Sequence, residues 1–226
     1  YAFVSDLSIA TRSLSHFARE FEDGQKLRPH LLNLESICQI FSERLDELKT
    51  RANKPNLWLS IHKTEIERRF QGVFHAIEKN AKGAYEIRFD RAHVEPGDYY
   101  FDLKFTPRAG STHFDIPVRL MDVMRDLAAN ARKYTPPGGC FALNLSQSTE
   151  SIEITIEDEG VGIPEDELEK VFEFGYRATN VQDRPTQGGG FGLTKAIVVV
   201  HELGGVLTLS SKVGCGTKIH ISIPSK

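Results

Sequence analysis

Two stretches of helical periodicity open the chain. Between residues 4 and 21 apolar side chains recur at intervals of three and four, and a second such series runs from Leu31 to Leu48. The turn-forming stretch EDGQKLRP separates the two series, and RANKPN ends the second. The pattern predicts an antiparallel helical hairpin. Because two helices leave apolar surface uncovered, we expect the hairpin to pair with a second copy as a dimeric four-helix bundle.

Beyond residue 54 helical and alternating segments are mixed. Helices are predicted over IHKTEIERRFQGVFHAIEKNA, from about Pro117 to Tyr134, briefly after Pro164 and from Gly192 onward. The alternating segments predict strands at YEIRFD, YYFDLKF, CFALNLS, SIEITIE, VLTLSS and KIHISIP. This order predicts an α+β fold, a two-layer α/β sandwich whose mixed, mostly antiparallel sheet is covered by helices on one face. The predicted domains are therefore the hairpin, 1–54, and the sandwich, 55–226.

The amino-acid composition excludes several classes of binding partner and of site. The net charge is −3 and no block of basic residues occurs, so neither nucleic acid nor an anionic membrane is an expected partner. The three cysteines lack the spacing of a disulfide framework or a zinc site, which favours a reducing, cytoplasmic setting. No apolar run approaches the roughly 20 residues that span a bilayer. Since the chain begins with Tyr1 rather than Met, an upstream membrane segment is left open.

A helix in the second domain carries three polar side chains on one face. In the stretch DLAANARKYTPPGG, Asp126, Asn130 and Lys133 fall at i, i+4 and i+7, opposite an apolar stripe. A solvated helix face has the same pattern. The functional alternative is that the amide oxygen of Asn130 helps to hold Mg²⁺, that Lys133 faces phosphate charge and that Asp126 polarises a water or a metal ligand.

A predicted strand delivers a carboxylate to its end. In SIEITIEDEGVGIP the isoleucines alternate with polar residues, so Asp158 lies where the strand stops, and Gly160 and Gly162 then allow the backbone to bend. A plain strand-to-helix turn uses the same residue types. A carboxylate in this position can instead accept a hydrogen bond from an exocyclic amine such as that of adenine.

The stretch GGGFGL matches neither a Walker loop nor the dinucleotide-binding fingerprint. Its glycines Gly188, Gly190 and Gly192 alternate, and Gly192 opens a predicted helix in which Leu193 belongs to the buried stripe. The free N–H groups at the start of that helix would point at an anion in front of it. A glycine cluster alone is weak support for such a site.

In this order the three stretches resemble the ATP-binding domain shared by sensor histidine kinases and the wider gyrase, Hsp90, histidine kinase and MutL ATPase superfamily. The resemblance covers roughly Asp115 to Pro224, and the hairpin fits a histidine kinase's dimerisation and phosphotransfer segment. DLAANARKYTPPGG resembles the asparagine box, DEGVG the first glycine box, VFEFGYR the phenylalanine box and GGGFGL the second glycine box. The loop from about Gly175 to Gln187 would then be a mobile ATP lid.

The resemblance implies ATP and Mg²⁺ as cofactors. It implies Asn130 as the Mg²⁺ ligand, Lys133 as a phosphate contact, Tyr134 as a residue of the nucleotide pocket and Asp158 as the residue that reads adenine. The full set of nucleotide-binding residues that it implies is Asn130, Lys133, Tyr134, Asp158, Gly160, Gly162, Phe172, Gly188, Gly190, Gly192, Leu193 and Thr217.

The chain departs from the histidine kinase pattern at two places. Histidine kinases commonly carry asparagine where this chain has Asp126, and other branches use an acid there as a hydrolytic base. Asp126 is therefore a catalytic candidate, and hydrolysis is left open. The hairpin also lacks the signature His-Glu-Leu-Arg-Thr-Pro.

The nearest match to that signature is SHFAREF. It keeps the Ser15–His16 pair and Arg19, while Phe17 replaces the usual acid. His16 is thus the candidate phosphoacceptor, a structural or surface histidine is the alternative, and His30 is a second candidate. The remaining histidines are expected to be bystanders.

The leading interpretation is an ATP-dependent protein histidine kinase of a two-component system. It would phosphorylate its own histidine, pass the group to an aspartate in the receiver domain of a response regulator, and work as a homodimer through the hairpin. The alternative is a nucleotide-binding regulatory module, or degenerate kinase, without histidine chemistry. An ATP-driven clamp of the gyrase or Hsp90 kind is less expected, because no transducer domain follows the final strand.

Overall fold

The computed structural model of the chain describes residues 57–80, 83–182 and 190–226. The part from Trp58 to Lys226 forms a compact unit by itself. The predicted hairpin, 1–54, with its candidate His16, lies outside the described residues. No helix in the described part of the chain is long and apolar enough to cross a bilayer.

The described residues form eight strands and three α-helices. In chain order they are β1 (Trp58–His62), α1 (Lys63–Asn80), β2 (Ile87–Arg88), β3 (Tyr99–Thr106), β4 (His113–Pro117), α2 (Val118–Tyr134), β5 (Cys140–Gln147), β6 (Ser151–Asp158), α3 (Gly192–Glu202), β7 (Val206–Lys212) and β8 (Gly216–Pro224). Short 3₁₀-helices occupy Arg91–His93, Glu165–Glu167, Lys170–Phe172 and Thr179–Val181.

Six strands form one mixed sheet in the order β2-β3-β5-β6-β8-β7. Strand β3 is parallel to both β2 and β5, whereas the other three pairings are antiparallel. The neighbouring strands β6 and β8 align Asp158 with Thr217 at one end of their pairing. The predicted α+β class with a mixed sheet is confirmed, and the sheet brings the end of β6 next to the start of β8.

One face of the sheet carries the core. Ile152, Ile154 and Ile156 of β6 are buried, while the residues between them are half-buried or exposed. In the same core the rings of Phe101 and Phe141 stack with centroids 4.4 Å apart. All three α-helices contribute to this core, so they cover one face of the sheet.

Two of the observed strands, β1 and β4, were not predicted from the sequence. Ile61 and His62, predicted to start a helix, instead end β1, which pairs antiparallel with β4 in a separate two-stranded sheet. Their local sequence continues the helical pattern, and only the partner strand, with buried Phe114 and Ile116, selects the extended form. After Pro164 the chain forms two 3₁₀ turns rather than an α-helix.

Candidate functional site

A cleft of about 870 Å³ collects most of the predicted site residues. The predicted residues that line it are Asp126, Asn130, Lys133, Tyr134, Asp158, Gly162, Gly190, Gly192, Leu193 and Thr217. Gly160 lies behind Asp158, since a Cβ there would be 2.5 Å from Asp158 Oδ1. Phe172 packs beside the cleft in a small apolar cluster with Val171, and Gly188 lies outside the described residues. Separate stretches of the sequence therefore converge on one cavity.

The strand-end carboxylate lies at the wall of this cleft. Asp158 Oδ1 accepts the backbone N–H of Gly160 at 2.9 Å and that of Thr217 at 3.2 Å. Both bonds end on Oδ1, so Oδ2 is left to accept a donor from the cleft. Burial raises the pKa of Asp158 to about 6, against the lowering effect of these two hydrogen bonds. The group is thus an acceptor that gains from a hydrogen-bond donor in the cleft.

Asn130 supplies an amide to the lining of the cleft. It lies on α2, and a Cβ on Gly192 would be only 2.8 Å from its Nδ2, so the glycine gives α3 room to start there. The described residues contain no group of three or more His, Cys, Asp or Glu that could hold a metal ion. One amide oxygen fits Mg²⁺, which takes one or two protein ligands and completes its shell with phosphate oxygens and water.

Asp126 is held by two cations that the sequence did not single out. Lys195, from the first turn of α3, places its Nζ 2.5 Å from Asp126 Oδ2, and Arg125 approaches Oδ1 at 3.1 Å. The lysine lies 69 residues away in the chain, so no local pattern could have revealed this pair. The carboxylate ties α2 to the start of α3, and its charge is largely compensated.

Three further basic residues line the cleft: Arg132, Lys133 and Arg177. Lys133 places its Nζ 5.2 Å from the centre of the Tyr134 ring. Burial lowers the pKa of Lys133, and the charges of Arg177 and Arg132 lower it further. Arg177 also lines the cleft and was missed from the sequence, because nothing in its own segment shows that it faces Lys133. An anionic ligand would relieve this repulsion.

The ends of the loop expected to be the lid meet at the surface. Phe174 and Phe191 stack with ring centroids 4.4 Å apart, and both are exposed. A Cβ on Gly190 would lie 2.9 Å from the carbonyl carbon of Gly175, so the two backbones are in close contact. The part of the loop from 183 to 189 lies outside the described residues.

Comparison with known proteins gives a family match for just under half of the chain. Residues 115–226 match the model described as histidine kinase-, DNA gyrase B-, and HSP90-like ATPase. This range contains the cleft residues from α2 to β8 that the four boxes predicted, and the match confirms the resemblance read from them.

Curated relatives include sensor kinases. Sensor histidine kinase WalK of Bacillus subtilis (strain 168) is 36% identical over 110 residues, which cover 48% of this chain and 18% of WalK. The signal transduction histidine-protein kinase/phosphatase MprB of Mycolicibacterium vanbaalenii is 28% identical over 212 residues, or 91% of this chain and 39% of MprB. The chain thus spans less than half the length of these relatives.

A solved structure has the same fold. The structure of the mycobacterial sensor histidine kinase MprB aligns with a TM-score of 0.51 and 24% identity, covering 74% of this chain and 97% of that one. At this identity the likeness bears on the fold alone.

Proposed function

Because residues 115–226 belong to the histidine kinase-, DNA gyrase B- and HSP90-like ATPase family, we propose that this chain is the catalytic part of an ATP-dependent protein histidine kinase of a two-component system. The observation that carries the proposal is the arrangement of the cleft. The half-buried carboxylate of Asp158, with one oxygen left for a donor, shares the cleft with the Asn130 amide and with the cations of Lys133 and Arg177.

Different lining residues of the cleft have the chemistry to bind the adenine and the phosphates of ATP. Asp158 accepts a hydrogen bond from the adenine amine, and Leu193 and Tyr134 add apolar surface beside it. Lys133 and Arg177 face the phosphates, where their mutual repulsion is offset by the negative charge of the ligand. Mg²⁺, held through the Asn130 amide oxygen, would neutralise phosphate charge during transfer.

The phosphoryl acceptor is proposed to be His16 of the predicted hairpin. A neutral imidazole nitrogen of His16 attacks the γ-phosphorus, the bond to the bridging oxygen breaks, and ADP leaves. The phosphoryl group then passes to an aspartate of a response-regulator receiver domain. We further propose that the protein acts as a homodimer through the hairpin, in a cytoplasmic setting.

The test is incubation of the chain with γ-labelled ATP and Mg²⁺. The expected result is an acid-labile, base-stable label that disappears in His16→Gln and persists in His30→Gln. Absence of label, together with nucleotide binding that Asp158→Asn removes, would overturn the kinase and favour the nucleotide-binding regulatory module. Label that persists in His16→Gln and disappears in His30→Gln would move the phosphoacceptor to His30.

Nucleotide binding is expected to weaken in acid because of Asp158. Burial raises the pKa of this carboxyl to about 6 in the free protein, and a bound adenine amine stabilises the ionised form, so binding lowers this raised pKa. Between pH 7.5 and pH 5 the affinity for adenosine should fall about tenfold, since each pH unit below the pKa costs at most about a factor of ten.

Adenosine is the suitable probe because it carries no phosphate that titrates in this range. Its dissociation constant, followed by NMR across the pH series, measures the effect of the protein carboxyl alone. A flat profile would show that Asp158 does not accept the adenine amine.

A further inference from the structure

A buried carboxylate beside the cleft binds a cluster of donors. Glu167 closes the 3₁₀ turn Glu165–Glu167, and only 4% of its surface is exposed. Its Oε2 accepts the backbone N–H of Thr179 at 2.9 Å, and its Oε1 accepts the Thr179 hydroxyl at 2.5 Å. The Tyr176 hydroxyl also hydrogen-bonds to this carboxylate. The hydrogen bond from the Thr179 side chain is the main cause that holds the pKa of Glu167 below its usual range, despite burial.

These bonds fix the 3₁₀-helix Thr179–Val181, and this helix in turn fixes Arg177. The Arg177 guanidinium donates to the carbonyl oxygen of Val181 at 2.8 Å. Asn180 of the same helix donates to the carbonyl oxygen of Gly162 at 2.9 Å, which ties the helix to the first glycine box. A shift of Thr179 would therefore move the Val181 carbonyl and the guanidinium bonded to it.

Arg177 is the charged member of this chain of contacts that lines the cleft, and Tyr176 and Val181 line it as well. Arg177 lines the cavity together with Lys133, and its charge is close enough to lower the pKa of that lysine. Glu167 itself is not among the lining residues. Its effect on a ligand would have to pass through the segment between Tyr176 and Val181.

The donor set explains why this position carries an acid. The backbone N–H of Thr179, its hydroxyl and the Tyr176 hydroxyl are all donors, and a carboxylate accepts them on two oxygens. Glutamine has nearly the same shape but only one acceptor oxygen, so its NH₂ group would face a donor. Loss of one such bond leaves a buried polar group unpaired.

We propose that Glu167 is a positioning residue for the phosphate end of the nucleotide, because it holds the Thr179–Val181 helix where Arg177 lines the cleft together with Lys133. The proposal rests on the nucleotide binding proposed above and extends it to a residue outside the cleft. It assigns Glu167 an effect on the phosphates and none on the adenine, which Asp158 binds at the end of β6.

The test compares ATP with adenosine on the 226-residue chain. Glu167→Gln should weaken ATP binding about tenfold and adenosine binding less than about twofold, as expected when one charged hydrogen bond is lost and a cation moves. The matched control is Glu165→Gln, an exposed acid two residues earlier in the same turn, which should change neither affinity. Calorimetry with ATP and NMR with adenosine give the two constants.

The outcomes of this test separate a failure of the positioning role from a failure of the proposed function. An equal loss for ATP and adenosine, or no loss, would overturn the positioning role, since a merely structural residue would not separate the two ligands. If the unsubstituted chain binds neither ligand, the proposed function itself is wrong. If Glu167→Gln does not fold, Thr179→Ala at an exposed position removes the hydroxyl together with the γ-methyl group and keeps the Glu167 carboxylate. An unchanged ratio of ATP to adenosine affinity in Thr179→Ala would overturn the proposal.

Discussion

Asp158→Asn is expected to abolish nucleotide binding and to make the unliganded domain more stable. The asparagine Oδ1 can still accept the N–H groups of Gly160 and Thr217, so the local fold should persist. Its Nδ2 then replaces the free carboxylate oxygen and places a donor against the donor amine of adenine. The loss should be at least about a hundredfold in affinity, roughly 3 kcal/mol.

The gain in stability follows from the raised pKa of Asp158. A carboxyl whose pKa rises from 3.8 to about 6 on folding adds stability below its ordinary pKa, and this contribution is lost as the pH rises through about 6. At pH 7 the folded protein bears the penalty of a charge that is partly removed from water, which a neutral side chain avoids. The free energy of unfolding at pH 7 should rise by up to about 3 kcal/mol, and the difference should vanish near pH 4.

Calorimetric titration with ATP and urea denaturation at both pH values measure the two effects. Glu157→Gln is the matched control, because Glu157 is the adjacent acid but is exposed and paired with Lys218. It should leave affinity nearly unchanged. Tight ATP binding by Asp158→Asn, or a loss of stability at pH 7, would contradict this account of the site.

Gly216→Ala should destabilise the domain by about 3–5 kcal/mol, because it combines a strained backbone with an overpacked contact. Gly216 begins β8 with φ at 95°, a conformation that side chains disfavour, and a Cβ there would lie 1.8 Å from the carbonyl oxygen of Asp158. Either β8 or the end of β6 must move. Because the end of β6 carries the nucleotide carboxylate, ATP affinity should fall as well.

Gly214→Ala provides the control for backbone strain alone. Gly214 lies two residues earlier with φ at 76°, and a Cβ there meets nothing within 4 Å. It should cost only about 1–2 kcal/mol, the strain of a left-handed alanine. Urea denaturation of both variants separates the cost of backbone strain from the cost of the contact with the Asp158 carbonyl. Equal free energies of unfolding would show that the contact with Asp158 does not constrain Gly216.

The sequence was most informative where a pattern repeats within one element. Apolar spacing predicted α2 to within a residue, and alternation placed Asp158 at the end of β6. Since an α-helix brings i, i+4 and i+7 to one side, Asp126, Asn130 and Lys133 were expected on one face, and all three line the cleft. The alternation of Val206–Lys212 likewise predicted β7.

Pairings across the chain were not predictable in this way. The ion pair between Lys195 and Asp126, the hydrogen bonds from Thr179 to Glu167 and the pairing of β1 with β4 each join distant segments. Glu167 belongs to an acidic run that reads as the solvated first turn of a helix, yet it is buried. Its environment depends on Tyr176 and Thr179. Neither the helical nor the strand repeat places these two residues next to Glu167.

The sequence by itself determined the types of residue at the site and the element on which each one lies, because helix and strand periods act over neighbouring positions. It placed a carboxylate at a strand end, an amide on a helix face and a glycine at a helix start. Only the tertiary structure decided which groups meet. It brought Thr217 to Asp158, Lys195 to Asp126 and Arg177 towards Lys133, because contacts between distant segments follow from packing of the whole domain.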